Sequence, residues 1–158
     1  MVYAACTIIL TFTILAFFTL GRGSFAAFGV PQFLLRILVA LPLLLSGILL
    51  HFFRASLTAS IIPPLFPARL FLALFTGVCE IAGSIGLFVP RIRRSAALWI
   101  AIMLVCIFPA NIYSAGKVIA GFQFPGVPVR LVIQIVYIAL VLMAGYGLPR
   151  PSRRSEHA

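Results

Sequence analysis

Apolar residues run through this chain in long blocks, and the polar positions fall between the blocks. The first block, residues 3–20 (YAACTIILTFTILAFFTL), carries no charge, and Gly21, Gly23, Gly29 and Pro31 follow it as a linker. Four more blocks cover residues 33–53, 70–89, 96–114 and 129–148. At about 1.5 Å of rise per residue, a helix of such length crosses the ~30 Å hydrocarbon core of a bilayer once. In lipid the backbone must satisfy its own hydrogen bonds, so the pattern predicts helices. Pro42 is expected to bend the first of the four and Pro90 to end the second. Between these two, Pro63, Pro64 and Pro67 preclude an ordinary helix. Ile61, Ile62, Leu65 and Phe66, set among them, predict a segment that lies on the membrane surface or folds back over the mouth of the bundle.

The expected fold is therefore all-α, an integral membrane four-helix bundle over residues 32–149. Residues 1–31 are read as an additional transmembrane helix with its linker, or as an uncleaved signal. The uncharged start Met1-Val2-Tyr3 lacks the basic region of a secretory signal, and Ser24-Phe25-Ala26 is only a passable cleavage site, so the length favours the helix. Residues 150–158 form a short basic tail.

Composition supports this picture and narrows the partners. Of the 158 residues, 63% are hydrophobic and 9% charged, against about 25% charged in a globular chain. One small core could not bury so much apolar surface, which leaves the lipid bilayer as its solvent. The net charge of +10 comes from residues spread between the apolar blocks. The densest group, Arg91, Arg93 and Arg94, has no interleaved aromatics for base stacking, so no nucleic-acid partner is expected. Arg22, Arg36, Arg91, Arg93, Arg94, Arg150, Arg153 and Arg154 fall on one side of the alternating spans. Arg54, Arg69, Lys117 and Arg130 fall on the other. The imbalance places the first set, and the C-terminus, in the cytoplasm. Cys6, Cys79 and Cys106 lie apart in apolar runs, without Cys-x-x-Cys or zinc spacing, and read as packing residues. A bridge between Cys79 and Cys106 is not demanded by their spacing.

Candidate chemistry is confined to the polar residues that lipid would reject. Glu80 lies in the middle of an apolar run, and Glu156 is the only other acid in the chain. A charge there needs a partner or a proton. Counted at the helical rise, Glu80 lies roughly 16 Å below Arg69, near the midplane, and Asn111 about 9 Å below Lys117. His51 sits about one turn in, and Arg130, Gln134 and Tyr137 recur at i, i+4 and i+7, a single helical stripe. Together they predict a polar recess opening outwards, with Glu80 at its floor. Ala73, Gly77, Glu80 and Ser84 share one side of the second span, and Ala82 with Gly86 forms a second small-residue pair, so these faces are expected to meet protein. Pro109 should free the carbonyl of Val105 as an acceptor. Two readings of Glu80 stand, as a functional group or as interhelical glue to Arg130, Gln134 or Asn111. His51, with no second His or Cys near it, predicts no metal site. No nucleophile–base constellation, phosphate loop or haem pair is present.

Several of these residues also carry a resemblance. Gly47-Ile48-Leu49-Leu50-His51-Phe52, Ile61-Ile62-Pro63-Pro64, Gly77-Val78-Cys79-Glu80-Ile81 and Phe108-Pro109-Ala110-Asn111-Ile112-Tyr113 follow one another as in DoxX-like membrane proteins. Arg130-Leu131 and then Gln134 extend the likeness, which covers residues 33–148. The family's usual prolines after His-Phe and between Arg-Leu and Gln are replaced here by Ala55 or Ser56 and by Val132. The resemblance implies a four-helix bundle in a bacterial inner membrane and an accessory role in a redox system. It also implies a membrane or soluble redox partner protein, a quinone-like ligand, and no catalytic activity of the chain alone. Glu80, His51, Asn111, Arg130 and Gln134 match the family pattern. A proton-linked carrier or channel and a purely structural scaffold remain as other readings of the same recess.

Overall fold

A computed structural model describes residues 32–119 and 121–147. The expectations for residues 1–31 and for the tail 150–158 lie outside the described residues. Four helical spans run alternately up and down. The first is α1 (Gln32–Ser46), continued by a π-helical stretch (Gly47–Phe52). A short helix α2 (Ala55–Ser60) leads to the proline-rich connection, and α3 (Arg69–Gly86) is the second span. The third is broken into α4 (Arg93–Cys106) and α5 (Phe108–Ser114), and the fourth is α6 (Val127–Tyr146). Each span is long and apolar enough to cross a membrane, so the chain is a multi-pass integral membrane protein.

The expected all-α architecture holds, with one addition. Val118–Ile119 (β1) and Phe122–Gln123 (β2) form a two-residue antiparallel hairpin between the third and fourth spans. The Phe124 N–H donates to the Lys117 carbonyl at 2.9 Å, which closes the hairpin's base and fixes Phe124 over the bundle end. Helix ends differ from the sequence reading by a few residues. The second span stops at Gly86 because Leu87 to Ile92 form tight turns before the next helix, so Pro90 follows the helix at a distance. The fourth begins at Val127 because Pro128, in the first turn, needs no N–H donor there.

Small residues set how close the helices come. A Cβ on Gly47 would meet Ile81 Cγ1 at 2.8 Å and the Gly77 carbonyl at 2.9 Å, and a Cβ on Gly77 would clash with that of His51. The first two spans therefore cross nearly backbone to backbone. At the other end of the bundle a Cβ on Gly86 would lie 2.7 Å from that of Ala96, and one on Gly145 would strike Ala97. Leu35, Val39, Ile100, Leu104, Tyr137, Leu140, Val141 and Ala144 form the apolar core between the first, third and fourth spans. Ala73, Gly77, Glu80 and Ser84 are the buried side of α3, the face expected from their spacing, whereas Ala82 is exposed. Phe71, Phe75, Trp99 and Ile135 point outwards, the surface that acyl chains cover.

Candidate functional site

The π-helical stretch gives the site its first half. Widening the turn to i→i+5 pairing, seen in the bond from Phe53 N–H to the Ile48 carbonyl at 3.3 Å, inserts a local bulge where His51 sits. The ring lies buried against Gly77, with Nδ1 at 2.5 Å from the Ala73 carbonyl. A carbonyl only accepts, so Nδ1 carries the hydrogen and Nε2 is the ring's second, exchangeable position. Nε2 faces Glu80 Oε2 at 3.7 Å, longer than a hydrogen bond. The two titratable groups therefore face each other across a gap without a bond between them. Glu80 is 5% exposed, and its Oε2 has no hydrogen-bond partner among the described residues. Ser46 lies beside the same carboxyl.

The second half is built where the third span breaks. α4 ends at Cys106, Ile107 turns, and α5 restarts with Pro109 in its first turn, where a missing N–H costs nothing. The break turns Asn111 towards α6. Asn111 Nδ2 donates to Gln134 Oε1 at 2.8 Å, and Gln134 Nε2 donates to the Leu104 carbonyl. The acceptor that Gln134 uses is thus Leu104, one residue before the expected Val105, and the helix ends at Cys106, three residues ahead of Pro109 rather than at it. Arg130 Nη1 donates to the Asn111 carbonyl at 2.9 Å, to Asn111 Oδ1 at 3.0 Å and to Ser114 Oγ at 2.9 Å. Its guanidinium lies 4.8 Å from the centre of the Phe124 ring, and its Nε, also buried, has no acceptor among the described residues. Tyr137 donates to the Val39 carbonyl at 2.6 Å and ties the fourth span to the first.

All six residues singled out in the sequence, His51, Glu80, Asn111, Arg130, Gln134 and Tyr137, line one cavity of about 330 Å³. Glu80 makes no bond with Arg130, Gln134 or Asn111; its neighbours are His51 and Ser46. Sequence reasoning missed Ser46, Thr58 and Ser114. Thr58 donates to the Leu50 carbonyl at 2.7 Å and, with Ile61 and Ile62, lines the cavity, so the segment leading into the prolines packs back on the bundle. Ser114 stands three residues after Asn111 on the same helix, and that spacing is the signal that could have found it.

A second cavity of about 640 Å³ runs along the outer face between α3 and α4, walled by Phe75, Trp99, Met103 and other apolar side chains. Ile62, Thr76, Ile107 and Ala110 line both cavities. The polar recess and the lipid-facing groove therefore share a thin wall at the break in the third span. Cys79 and Cys106 both carry free thiols on the groove side.

Arg130 is the main tie between the short α5 and the fourth span. Arg130→Met should lower stability by about 1 kcal/mol, since Nη1 shares its two hydrogens among three acceptors at roughly 0.6 kcal/mol per N–H. Denaturant titration of the purified protein in detergent, followed by circular dichroism, measures this. Arg130→Lys should recover only part of the loss, because one ammonium cannot reproduce the guanidinium fork.

Residues 28–144 match the family model described as Domain of unknown function (DUF8561), and the chain belongs to that family. No curated protein and no solved structure matches it.

Proposed function

We propose that the recess receives the head group of a quinone-like molecule and that the chain is an accessory subunit of a membrane redox system. The observation that carries this reading is the wall shared between recess and groove. A ligand partitioned into lipid could pass from the apolar groove to the polar recess between α3 and the break at Ile107. Inside, two buried polar atoms without partners among the described residues, Glu80 Oε2 and Arg130 Nε, match the chemistry of such a head group. An N–H donates to a quinone carbonyl oxygen, and a carboxyl exchanges a proton with the oxygen that is reduced or oxidised. The facing His51 and Glu80 side chains are the groups that would supply or collect it. Electrons must come from a partner protein, since the described side chains hold no cysteine pair and no group of metal ligands. The resemblance to DoxX-like proteins supports the same role. With the basic loops in the cytoplasm, the recess opens at the outer face of a bacterial inner membrane.

Purification in a mild detergent followed by lipid extraction tests the proposal. Quinone should be recovered with the protein, and crosslinking in membranes should capture a redox protein. Finding neither would overturn the reading. A proton-linked carrier is the second reading, favoured by the break in the third span on the cavity wall, since carriers bind substrate at interrupted helices. Reconstituted vesicles decide it: a pH-dependent solute flux abolished by Glu80→Gln supports the carrier, and flux indifferent to that change removes it.

A further inference from the structure

At the end of the bundle opposite the recess, Arg36, Arg91, Arg93 and Arg94 surround a cavity of about 390 Å³, closed by Tyr146 and Gly147 at the end of the fourth span. Two of the four are held by backbone. Arg93 Nε donates to the Leu87 carbonyl at 3.0 Å, and Arg36 Nε donates to the Ala144 carbonyl at 3.2 Å. Gln32 Nε2 shares that carbonyl at 3.1 Å. Arg94 lies over the Tyr146 ring at 6.0 Å. Both backbone bonds use Nε, and among the described residues neither Arg36 nor Arg93 spends an Nη group on a protein acceptor. Glu80, in the recess, is the only acid among the described residues. Four guanidinium groups thus converge with no carboxylate among the described residues that line the cavity.

We propose that this cavity binds the phosphate of an anionic phospholipid head group. The donor set fits phosphate: guanidinium forks offer paired N–H groups to its oxygens, and positioned guanidinium groups lose little freedom on binding. The position fits lipid. The cavity lies where two spans begin and two end, the level of the head groups, where basic pockets between spans collect anionic lipids. Phe33 and Phe88, exposed and in edge contact at 5.9 Å between ring centres, lie at the same end of the bundle and offer an acyl chain an apolar track. On the orientation set by the basic loops, this is the cytoplasmic leaflet. The site is independent of whatever occupies the recess.

The test uses the full chain in neutral detergent, offered dioleoylphosphatidylglycerol and dioleoylphosphatidylcholine in equal amounts and read by native mass spectrometry. Phosphatidylglycerol should be retained over phosphatidylcholine and released by salt. Arg91→Gln with Arg94→Gln, which leaves both backbone-held arginines in place, should weaken its binding about 25-fold, at about fivefold per basic residue. Phosphatidylcholine binding should not change. Equal retention of the two lipids, or unchanged affinity in the variant, would overturn the proposal. Inorganic phosphate at millimolar concentration should not displace the lipid, and displacement would overturn the lipid assignment in favour of a free anion. If the double variant does not fold, the salt and phosphate arms on the unaltered chain still decide.

Discussion

Gly77→Leu should abolish the folded protein, and Gly77→Ala should destabilise it by about 1–3 kcal/mol. Alanine is the better helix former by about 1 kcal/mol, so propensity alone predicts the opposite sign. Packing decides. The added Cβ would clash with that of His51 and lie 3.1 Å from its Cγ and 3.2 Å from the Gly47 carbonyl. Neither neighbour can swing aside, because one is a Cβ fixed by the π-helical backbone and the other is a backbone oxygen. Relief requires the first two spans to separate, which breaks the His51–Ala73 bond and opens the recess. A leucine forces a larger separation and should cost about 4 kcal/mol or more. Gly126→Ala is the control: its nearest neighbour would be Pro128 Cδ at 3.8 Å, and the change should stay within about 0.5 kcal/mol. Denaturant titration in detergent, followed by circular dichroism, reads all three. A Gly77→Ala variant as stable as the parent would mean that the spans do not cross at this point.

What could be read in the sequence follows from cost. A carboxylate or an imidazole in an apolar run is expensive enough to be conspicuous, so Glu80 and His51 declared themselves, and the i, i+4, i+7 spacing gathered Arg130, Gln134 and Tyr137 on one face. The four spans were legible because bilayer thickness fixes their length. Pairing was less so. Depth alone pairs Glu80 with Arg130, Gln134 or Asn111 on the third and fourth spans, yet it faces His51, because the π-helical turn and the Gly47–Gly77 approach bring the first span closer. A π turn is chosen by packing between helices and leaves little mark in local sequence. Pro109 announced a break in the third span but not its place; Ile107 is where the chain turns, and the exposed acceptor moves from Val105 to Leu104. The hairpin at 118–123 is too short for a period-2 pattern to show.

The sign of one stability change separates a functional Glu80 from a structural one. Glu80→Met should raise stability by about 1–3 kcal/mol, the cost of a buried polar group left without a hydrogen-bond partner. The carboxyl is enclosed, yet Oε2 has no hydrogen-bond partner among the described residues and stands 3.7 Å from His51 Nε2. A group dehydrated without full compensation subtracts from stability, and methionine removes the polar oxygens while filling the space. If the carboxyl is instead the glue of the first two spans, removing it should cost about 3–5 kcal/mol, the penalty for breaking a buried pair. The same variant should lose at least tenfold in quinone retention, because the proton-exchanging group is gone. Glu80→Gln, with similar size and a donor in place of the exchangeable proton, should keep near-parental stability and lose retention less. Stability up and retention down is the signature of a site that holds an unmet polar group ready for a ligand. Stability down with retention unchanged would leave Glu80 as a strut and empty the recess of chemical purpose.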